Sequence, residues 1–373
     1  MDKLPDNEDE VLLRDAARGF LDENAPLSVF RKNRDAGRDY DPALWAEMAQ
    51  MGWAGVMVPE AHGGADMGHR AAGILAEEMG RTLAASPFIS SAVIAASTLR
   101  ASASDHLATI ACGEATYALA VDEGAKHNPA ATALAAKSEG NAFRLSGHKA
   151  FVADGAAASR LLVLARTSGS PGEPHGLTLF DIDATRAGLE IDPIQSIDSR
   201  DFARIDFDDV NATGDDVVGE VDNGLAALTP GLHAGQAALA AELTGLSAGI
   251  AAMTIGYLKE RKQFDRTIGS FQALQHRAAH LFAEIEVTAS AIAHAGRRLD
   301  SDIENAQLSV SLAKARASQT ARLAVIEGVQ MHGGIGMTDE YDAGFFMKRA
   351  RVGAEWLGDY GYHAAIVAAH RGL

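Results

Sequence analysis

Two short segments of the sequence combine side chains that could hold a phosphate or a nucleotide. Their residues are Arg261, Gln263, Phe264, Phe271, Gln272 and Gln275 in the first segment, and Gln330, Gly333, Gly334 and Gly336 in the second. An arginine offers a planar fork of donors that matches phosphate oxygens, and clustered glycines let a backbone approach a ligand closely. Each segment also has a simpler interpretation. Arg261 could end a helix in solvent, the glycines could form only a turn, and the two phenylalanines could pack in a core.

Charge and cysteine content limit the classes of function. The chain has 373 residues, with 33 basic and 50 acidic side chains, for a net charge of −17. A general nucleic-acid-binding protein needs a basic face, so this class is excluded, whereas a local basic pocket is not. The single cysteine, Cys112, excludes an internal disulfide and a cysteine metal cluster, and it favours a reducing, cytoplasmic setting.

The sequence shows no targeting or membrane signal. Its first twenty residues are acidic and lack an apolar run, so we expect neither a secretory signal nor a transit peptide. Polar residues interrupt the alanine-rich segments, so we expect no membrane span and no membrane partner.

Three segments would have to position the candidate side chains. In residues 1–114 apolar residues recur at helical spacing, and Asp41 with Pro42 has the form of a helix start. Residues 115–222 carry short runs, several of them alternating, separated by Gly, Asp, Asn and Pro, which predicts a small antiparallel sheet or barrel. Residues 223–373 return to long helices rich in Ala and Gly, as in a tightly packed bundle or a subunit interface. The sequence therefore predicts a mostly helical α+β protein with a central β domain.

The two segments described first resemble signatures of the acyl-CoA dehydrogenase family. The first follows the pattern Arg-x-Gln-Phe-Gly…Phe-Gln…Gln, and the second follows Gln-x-x-Gly-Gly-x-Gly and continues to Thr338, Glu340 and Tyr341. The stretches WAEMAQMGWAGVMVPEAHGG and LAEEMGRTLAASP resemble N-terminal segments of the family. Four motifs in order make the resemblance cover nearly the whole chain. It implies an N-terminal helical domain, a central β-barrel or sheet domain, and a C-terminal four-helix bundle.

The resemblance also implies a reaction, the α,β-dehydrogenation of an acyl-CoA thioester with FAD as cofactor. In the family a carboxylate removes the α-proton while the β-hydrogen leaves as hydride to the flavin. The flavin lies at a subunit interface, where the two motifs of one subunit reach the pyrophosphate and adenine of the FAD held mainly by its neighbour. An electron-transfer flavoprotein is a possible electron acceptor.

Two departures from the family fall in the β domain. The Thr-Glu-Pro-x-Ala-Gly-Ser-Asp segment, which wraps the flavin ring and the acyl-CoA, is represented only by Glu123 and Gly124. The Lys-x-Trp-Ile-Thr-Asn-Gly strand becomes KAFVADG. Here Phe151 replaces the Trp beside the flavin, Ala153 replaces the Thr whose hydroxyl reaches flavin N5, and Asp154 replaces the Asn. The resemblance still places Phe151 and Ala153 beside the cofactor.

The third departure concerns the base. Alignment of the C-terminal segment puts Leu357 at the usual Glu. Some members carry the Glu on the long helix before the arginine motif, and that position falls near Gly235. Neither position holds a carboxylate, so no catalytic residue is assigned.

Three acids are weak candidates to replace the missing base. Glu242 lies two helical turns after Gly235, but it could equally be a buried or interface residue paired with His233 or with a cation of a partner chain. Asp359 could instead cap the turn after Leu357, and Glu355 could face solvent. General-base geometry is strict to about an ångström, so a short shift rarely restores a base.

The pattern of departures resembles one branch of the family, found in bacterial steroid side-chain degradation. There two related chains form an α2β2 heterotetramer, in which one chain supplies the base and the ring pocket while the other lacks the Glu and helps to hold FAD. The resemblance implies a base-less subunit acting on a CoA thioester, with a bulky steroid-derived acyl group as one option.

Three alternatives remain open at this point. The chain could form a homodimer or homotetramer that uses Glu242 or Asp359 as its base. It could be a flavin monooxygenase or oxidase of the same fold, which needs no α-proton base. It could also be a scaffold that binds no flavin.

Overall fold

A computed structural model of the protein describes residues 6–102 and 104–373. The α-helices in these ranges are α1 (Glu8–Asn24), α2 (Leu27–Asp35), α3 (Pro42–Gln50), α4 (Gly68–Thr82), α5 (Ala96–Leu99), α6 (His106–Ala111), α7 (Gly224–Glu260), α8 (Gln272–Ser301), α9 (Gln307–His332), α10 (Ala343–Glu355) and α11 (Tyr360–His370). A π-helical segment, Phe88–Ala95, leads into α5. The strands are β1 (Tyr117–Ala120), β2 (Ala135–Glu139), β3 (Ala142–Ala153), β4 (Arg160–Arg166), β5 (Leu177–Asp183), β6 (Leu189–Gln195), β7 (Asp201–Thr213), β8 (Val217–Val218), β9 (Lys262–Gln263) and β10 (Arg266–Thr267). This element order confirms the predicted α+β fold.

Compactness divides the chain into two units. The helical unit combines the described part of Met1–Ala36 with His69–Ala85 and Gln236–Leu373, and the sheet unit combines Gly37–Gly68 with Ser86–Gly235. Each unit therefore gathers segments that lie far apart in the sequence. The three domains expected from the sequence describe the order of elements along the chain and stay a prediction.

The sheet unit contains one eight-stranded sheet. Its order is β6-β7-β3-β2-β4-β5-β8, and β1 pairs with β4. Alternate side chains point to opposite faces of a strand, so Leu145, Val163 and Ile205 are fully buried in its core. Phe143 packs edge-on against Phe180, with ring centroids 5.2 Å apart.

The predicted antiparallel arrangement is only partly right. Strand β4 runs parallel to both β1 and β2, while β3 is antiparallel to β2 and β7. Strands β2 and β7 occupy both edges of the long strand β3. Strand β4 therefore pairs with β1, β2 and β5 instead. Alternation identifies the face of each residue but not the partner of each strand. Within the described residues no pairing joins β6 to β8, so the sheet is open rather than a closed barrel.

In the helical unit, glycines let α4 and α7 touch through their backbones. A Cβ at Gly245 would lie 1.7 Å from the carbonyl oxygen of Glu77, and one at Gly80 would lie 2.1 Å from that of Glu242. Only glycine permits such an approach. The expectation that the small residues of α7 serve close helix packing is therefore confirmed. Further along the chain, α9 packs against α8, α10 and α11, and the hydroxyls of Thr288 and Thr320 join α8 to α9 at 2.8 Å.

Helix α7 bears on the expectation that the chain has no membrane span. Its 37 residues are long and apolar enough to cross a membrane by length and composition alone, because Ala, Leu and Ile outweigh the polar residues among them. However, 78% of its most apolar window is buried within the protein, as in the core helix of a globular protein.

Helix α7 ends just before the arginine segment. Its last residue is Glu260, and β9 and β10 then form a short hairpin within the range that the sequence assigned to long helices. Its two-residue turn is Phe264 and Asp265, with φ angles of 53° and 62°. Such a turn needs left-handed backbone at both positions, for which glycine is the usual residue. Because this turn contains no glycine, the sequence did not indicate it.

Candidate functional site

The arginine segment forms an exposed tip of the helical unit. Arg261 is exposed at the base of the hairpin, and the side chain of Phe264 at its turn is 86% exposed. Phe264 meets Phe271 edge-on at 6.1 Å between centroids, and the guanidinium of Arg266 lies 3.9 Å from the Phe271 centroid. This tip presents an aromatic ring and cations to the surroundings, which suits a nucleotide with its phosphates.

The glutamines of this segment are bound locally. The side-chain amide of Gln263 donates to the Lys262 carbonyl at 2.7 Å, and that of Gln275 donates to the Gly269 carbonyl at 3.0 Å. Gln272 begins α8 and is exposed. The side-chain oxygens of Gln263 and Gln275 and one N–H of each amide therefore remain for a ligand or a partner chain.

The glycine-rich segment forms a tight turn, Gly333–Met337, directly after α9. Gly333 has φ 66° and ψ −143°, a conformation that only glycine adopts readily. A Cβ at Gly333 or at Gly334 would meet nothing within 4 Å, whereas one at Gly336 would lie 2.9 Å from the His332 Cβ. The protein's own packing therefore explains Gly336 but not Gly334. Gln330, one turn earlier on α9, is exposed.

An aromatic cluster lies beneath both segments. It consists of Tyr257 near the end of α7, His332 at the end of α9, and Tyr341 after the glycine turn. The His332 ring lies 4.6 Å from the Tyr257 ring and 4.7 Å from the Tyr341 ring, between centroids. The structure thus brings the bases of the two candidate segments together.

The turn at Leu357 is packed inside the protein, and the Leu357 side chain is almost wholly shielded from solvent. Leu357 is 2% exposed and has φ 57°, a strained value for a residue other than glycine. The Gln236 side chain donates to its carbonyl at 3.2 Å. The Nε2 of His363 also donates to this oxygen, at 3.1 Å, while Ser311 lies 3.3 Å from its Nδ1. Two buried donors therefore fix the backbone at the position where the family resemblance expects a base.

A buried lysine holds the same turn. The Nζ of Lys314, which is 0% exposed, donates to the carbonyls of Gly353 at 3.0 Å, Ala354 at 3.2 Å and Gly358 at 3.0 Å. The first two belong to the last turn of α10, where carbonyls lack partners within the helix. Burial lowers the pKa of Lys314 to about 7, against the opposing pull of the Glu355 and Asp359 carboxylates.

Glu242 is engaged in an ion pair. It is 5% exposed, and its Oε1 lies 3.4 Å from the guanidinium of Arg349, which is 1% exposed. The structure thus supplies Arg349 as a partner of Glu242 within the chain. Removing one member of a buried pair is strongly destabilising, so this contact supports a structural role for Glu242.

The remaining acids are also engaged. The Asp359 side chain accepts the Tyr362 amide at 2.8 Å and caps α11, as the simpler interpretation expected. Glu355 pairs with Arg351 at 2.8 Å, and its side chain is 34% exposed rather than fully solvated. Neither contact favours a role in proton abstraction.

The residues predicted beside a flavin ring belong to the sheet unit. Phe151 is 55% exposed with φ 52°, and Ala153 is 2% exposed and carries no hydroxyl. Asp154 is buried and accepts from the Ser90 hydroxyl at 2.5 Å. This strand end therefore offers an aromatic face but no donor at Ala153.

Glu123 has a defined structural partner. It accepts from the Lys149 Nζ at 2.7 Å and from the amides of Ala133 and Leu134 at 2.8 and 2.9 Å. Lys149 is fully buried and also donates to the Val121 carbonyl at 2.8 Å. Burial lowers the pKa of Lys149 to about 8, opposed by Glu123. The pair holds the chain between β1 and β2 in one shape.

Sequence reasoning missed Lys314, Arg349 and Tyr257. The one available signal was Lys314, a single lysine in the Ala/Ser-rich run SLAKARAS of α9. Within the part of the chain that the structure describes, no group of three or more His, Cys, Asp or Glu could hold a metal ion.

Two family models match the chain. The model for the acyl-CoA dehydrogenase N-terminal domain matches residues 7–109, and the model for the acyl-CoA dehydrogenase C-terminal domain matches residues 222–371. The second range contains both candidate segments and the Leu357 turn.

Similar proteins extend over nearly the full length of the chain. It is 29% identical to the acyl-CoA dehydrogenase IpdE2 of Mycobacterium tuberculosis, over 94% of this chain and 93% of the relative. It is 26% identical to the 3-(aryl)acrylate reductase of Clostridium sporogenes, over 97% and 98%. The solved structure of a variant of the Tcur3481-Tcur3483 steroid ACAD superposes with a TM-score of 0.86 at 28% identity, covering 98% of each chain.

Proposed function

This chain belongs to the acyl-CoA dehydrogenase family, and on that premise we propose that it is the subunit without a catalytic base in a heteromeric, FAD-dependent acyl-CoA dehydrogenase. One observation carries the proposal. The turn expected to hold the base is closed around a buried Leu357, while the two candidate nucleotide segments are exposed.

The contacts of the acids support the absence of a base. A general base must reach the substrate's α-proton with a free carboxylate oxygen. Glu242 faces Arg349 in a buried ion pair, and Asp359 caps α11. The alternative of a self-sufficient homo-oligomer with a relocated base is therefore the weaker one.

The helical unit fits the phosphate and adenine part of FAD. Gly333 and Gly334 leave open space where a Cβ would be, and Arg261 and Phe264 are exposed. The residues proposed to hold this part, on a neighbour's cofactor, are Arg261, Gln263, Phe264, Phe271, Gln272, Gln275, Gln330, Gly333, Gly334 and Gly336. FAD supplies the acceptor for the hydride that leaves the substrate's β-carbon.

The sheet unit fits the ring part of FAD less well. Phe151 can offer an aromatic face, but Ala153 has no hydroxyl to donate. Support for binding the cofactor is therefore uneven. It is strong where this chain would serve a neighbour and weak where it would serve itself.

The partner and the substrate follow from the same proposal. We propose a homologous subunit that carries the missing Glu, in an α2β2 assembly, with an acyl-CoA as substrate and an electron-transfer flavoprotein as acceptor. The likeness to a steroid ACAD named after two chains supports this assembly and a bulky, steroid-derived acyl group. The cytoplasmic setting inferred from the single cysteine belongs to the proposal as well.

Co-expression with a base-containing homologue tests the proposal. Flavin content, native mass and acyl-CoA oxidation are measured for this chain alone and for the mixed assembly. We expect a mixed tetramer with one flavin per two chains and activity only in that assembly. Robust acyl-CoA oxidation by this chain alone would refute the proposal, and oxygen consumption with an aromatic substrate would favour the monooxygenase alternative.

A further inference from the structure

Both nucleotide segments arise directly from residues of one aromatic cluster. The carbonyl of Tyr257 accepts the Arg261 amide at 2.9 Å, and the Arg261 carbonyl accepts the Ile268 amide at 2.8 Å, which closes the hairpin. On the other side, His332 immediately precedes Gly333. The hairpin is thus joined to Tyr257 by a backbone hydrogen bond, and the glycine turn is joined to His332 by a peptide bond.

The hydrogen bonds of His332 define its tautomer. Its Nδ1 lies 2.6 Å from the Gly328 carbonyl, and its Nε2 lies 3.2 Å from the Tyr341 hydroxyl. A carbonyl oxygen only accepts, so Nδ1 carries the hydrogen, and in the neutral ring Nε2 accepts from Tyr341. Burial lowers the pKa of His332, which agrees with a neutral ring. The ring is therefore locked in one orientation by two bonds.

Contacts outside the cluster also hold the glycine turn, since the Thr338 hydroxyl donates to the Ile335 carbonyl at 2.8 Å and Asp339 pairs with Arg34 at 2.6 Å. A Cβ at Gly333 or at Gly334 would meet nothing within 4 Å, while Gly336 packs against His332 and Val329. Gly336 thus ties one side of the turn to the end of α9, next to the cluster. Tyr341 closes this side, because its backbone amide lies 3.5 Å from the Thr338 carbonyl while its hydroxyl reaches His332.

We infer that Tyr257, His332 and Tyr341 are positioning residues that hold the arginine hairpin and the glycine turn in a fixed relation to each other. The cofactor part of this role rests on the proposed function, since the two segments must meet one FAD together. The mechanical part does not, because coupling of the two segments is a property of the chain itself.

The Tyr341→Phe variant tests the inference with a minimal change. It keeps the ring and removes the hydroxyl that donates to His332. The control is Tyr360→Phe, at a tyrosine of α11 whose side chain is 47% exposed. Hydrogen exchange of the FAD-free protein is measured at residues 261–268 and 333–337, together with the melting temperature. We expect faster exchange in both segments for Tyr341→Phe and in neither for the control.

Cofactor affinity gives the second readout. In the assembly that retains FAD, flavin fluorescence should report a dissociation constant raised about fivefold in Tyr341→Phe, as expected for the loss of one neutral hydrogen bond. If Tyr341→Phe melts far below wild type, Tyr257→Leu takes its place, because it removes the ring that packs on His332. Faster exchange confined to residues 333–337 would overturn the coupling. If wild type binds no FAD in any assembly, the proposed function fails while the exchange measurement still decides the coupling.

Discussion

The unfolding free energy of wild type minus that of the Lys314→Met variant, called the stability gap below, should increase as the pH rises. Lys314 is fully buried, and burial lowers its pKa from the ordinary value of 10.5 to about 7. The unfolded chain keeps the ordinary pKa. Between about pH 7 and pH 10 the unfolded chain therefore holds a proton that the folded chain has released. In that range, raising the pH stabilises the folded state.

The size of the effect follows from the pKa shift. One pKa unit corresponds to about 1.4 kcal/mol, and the folded amine is still half protonated at pH 7, so wild type should gain about 2 kcal/mol between pH 7 and pH 9. Methionine does not titrate, and the variant lacks this gain. Below about pH 7 the gap should be constant. There the cost of burying the charged amine is opposed by its three carbonyl hydrogen bonds, each contributing about 1 kcal/mol net.

Urea unfolding of both proteins at several pH values measures the gap. Circular dichroism and tryptophan fluorescence are followed together, because coincident transitions justify a two-state free energy. Other titrating groups cancel in the difference between the two proteins. Lys348→Met on α10 is the control for losing a lysine that contacts no carbonyl of the Leu357 turn. A stability gap that stays constant from pH 7 to pH 9 would refute the conclusion that the buried Lys314 amine is neutral in this pH range.

Three further predictions concern the candidate site. Gly334→Ala should lower FAD retention without lowering the melting temperature, because its Cβ would meet nothing within 4 Å; equal retention in Gly334→Ala and in the equally open Gly344→Ala would contradict this. Glu242→Gln should leave turnover of the assembled enzyme unchanged and lower the unfolding free energy by about 1–3 kcal/mol, since it removes the charge facing Arg349; lost turnover with an intact fold would make Glu242 the base. Leu357→Glu should lower the unfolding free energy by about 3 kcal/mol or more by burying a carboxylate, and acyl-CoA oxidation by this variant alone would show that the turn is not closed.

Most helices and strands could be predicted from the sequence because their formation depends on nearby residues. Asp41 before Pro42 predicted a helix start, and the Asp41 side chain does accept the Ala43 amide at 3.0 Å. Alternating runs identified strands, and glycines in α7 predicted close helix packing. Each of these inferences depends on residues that are neighbours in the sequence. Strand partners do not, so the parallel pairing of β4 with β1 and β2 was missed.

The candidate site was predictable only in part for the same reason. Motif residues such as Arg261 and Gly333 are recognisable by spacing. Arg349, a partner of Glu242, lies 107 residues later in the chain, and the sequence offered His233 as a nearer choice. Lys314 acts on carbonyls at 353–358, and a backbone acceptor leaves no trace in the sequence. The exposed hairpin at Phe264 and Asp265 was missed because neither residue is a glycine.

The glycine contact between α4 and α7 has a consequence for biosynthesis. The sheet unit ends at Gly235, whereas the helical unit needs α7 residues up to at least Gly245 to receive α4. During translation, α1, α2 and α4 therefore emerge long before the surface that they pack on exists. Domains generally fold as units as they leave the ribosome, so the sheet unit can be completed first. Until α7 has been synthesised, the apolar faces of the N-terminal helices stay exposed. We expect the nascent chain to be most prone to aggregation during this interval.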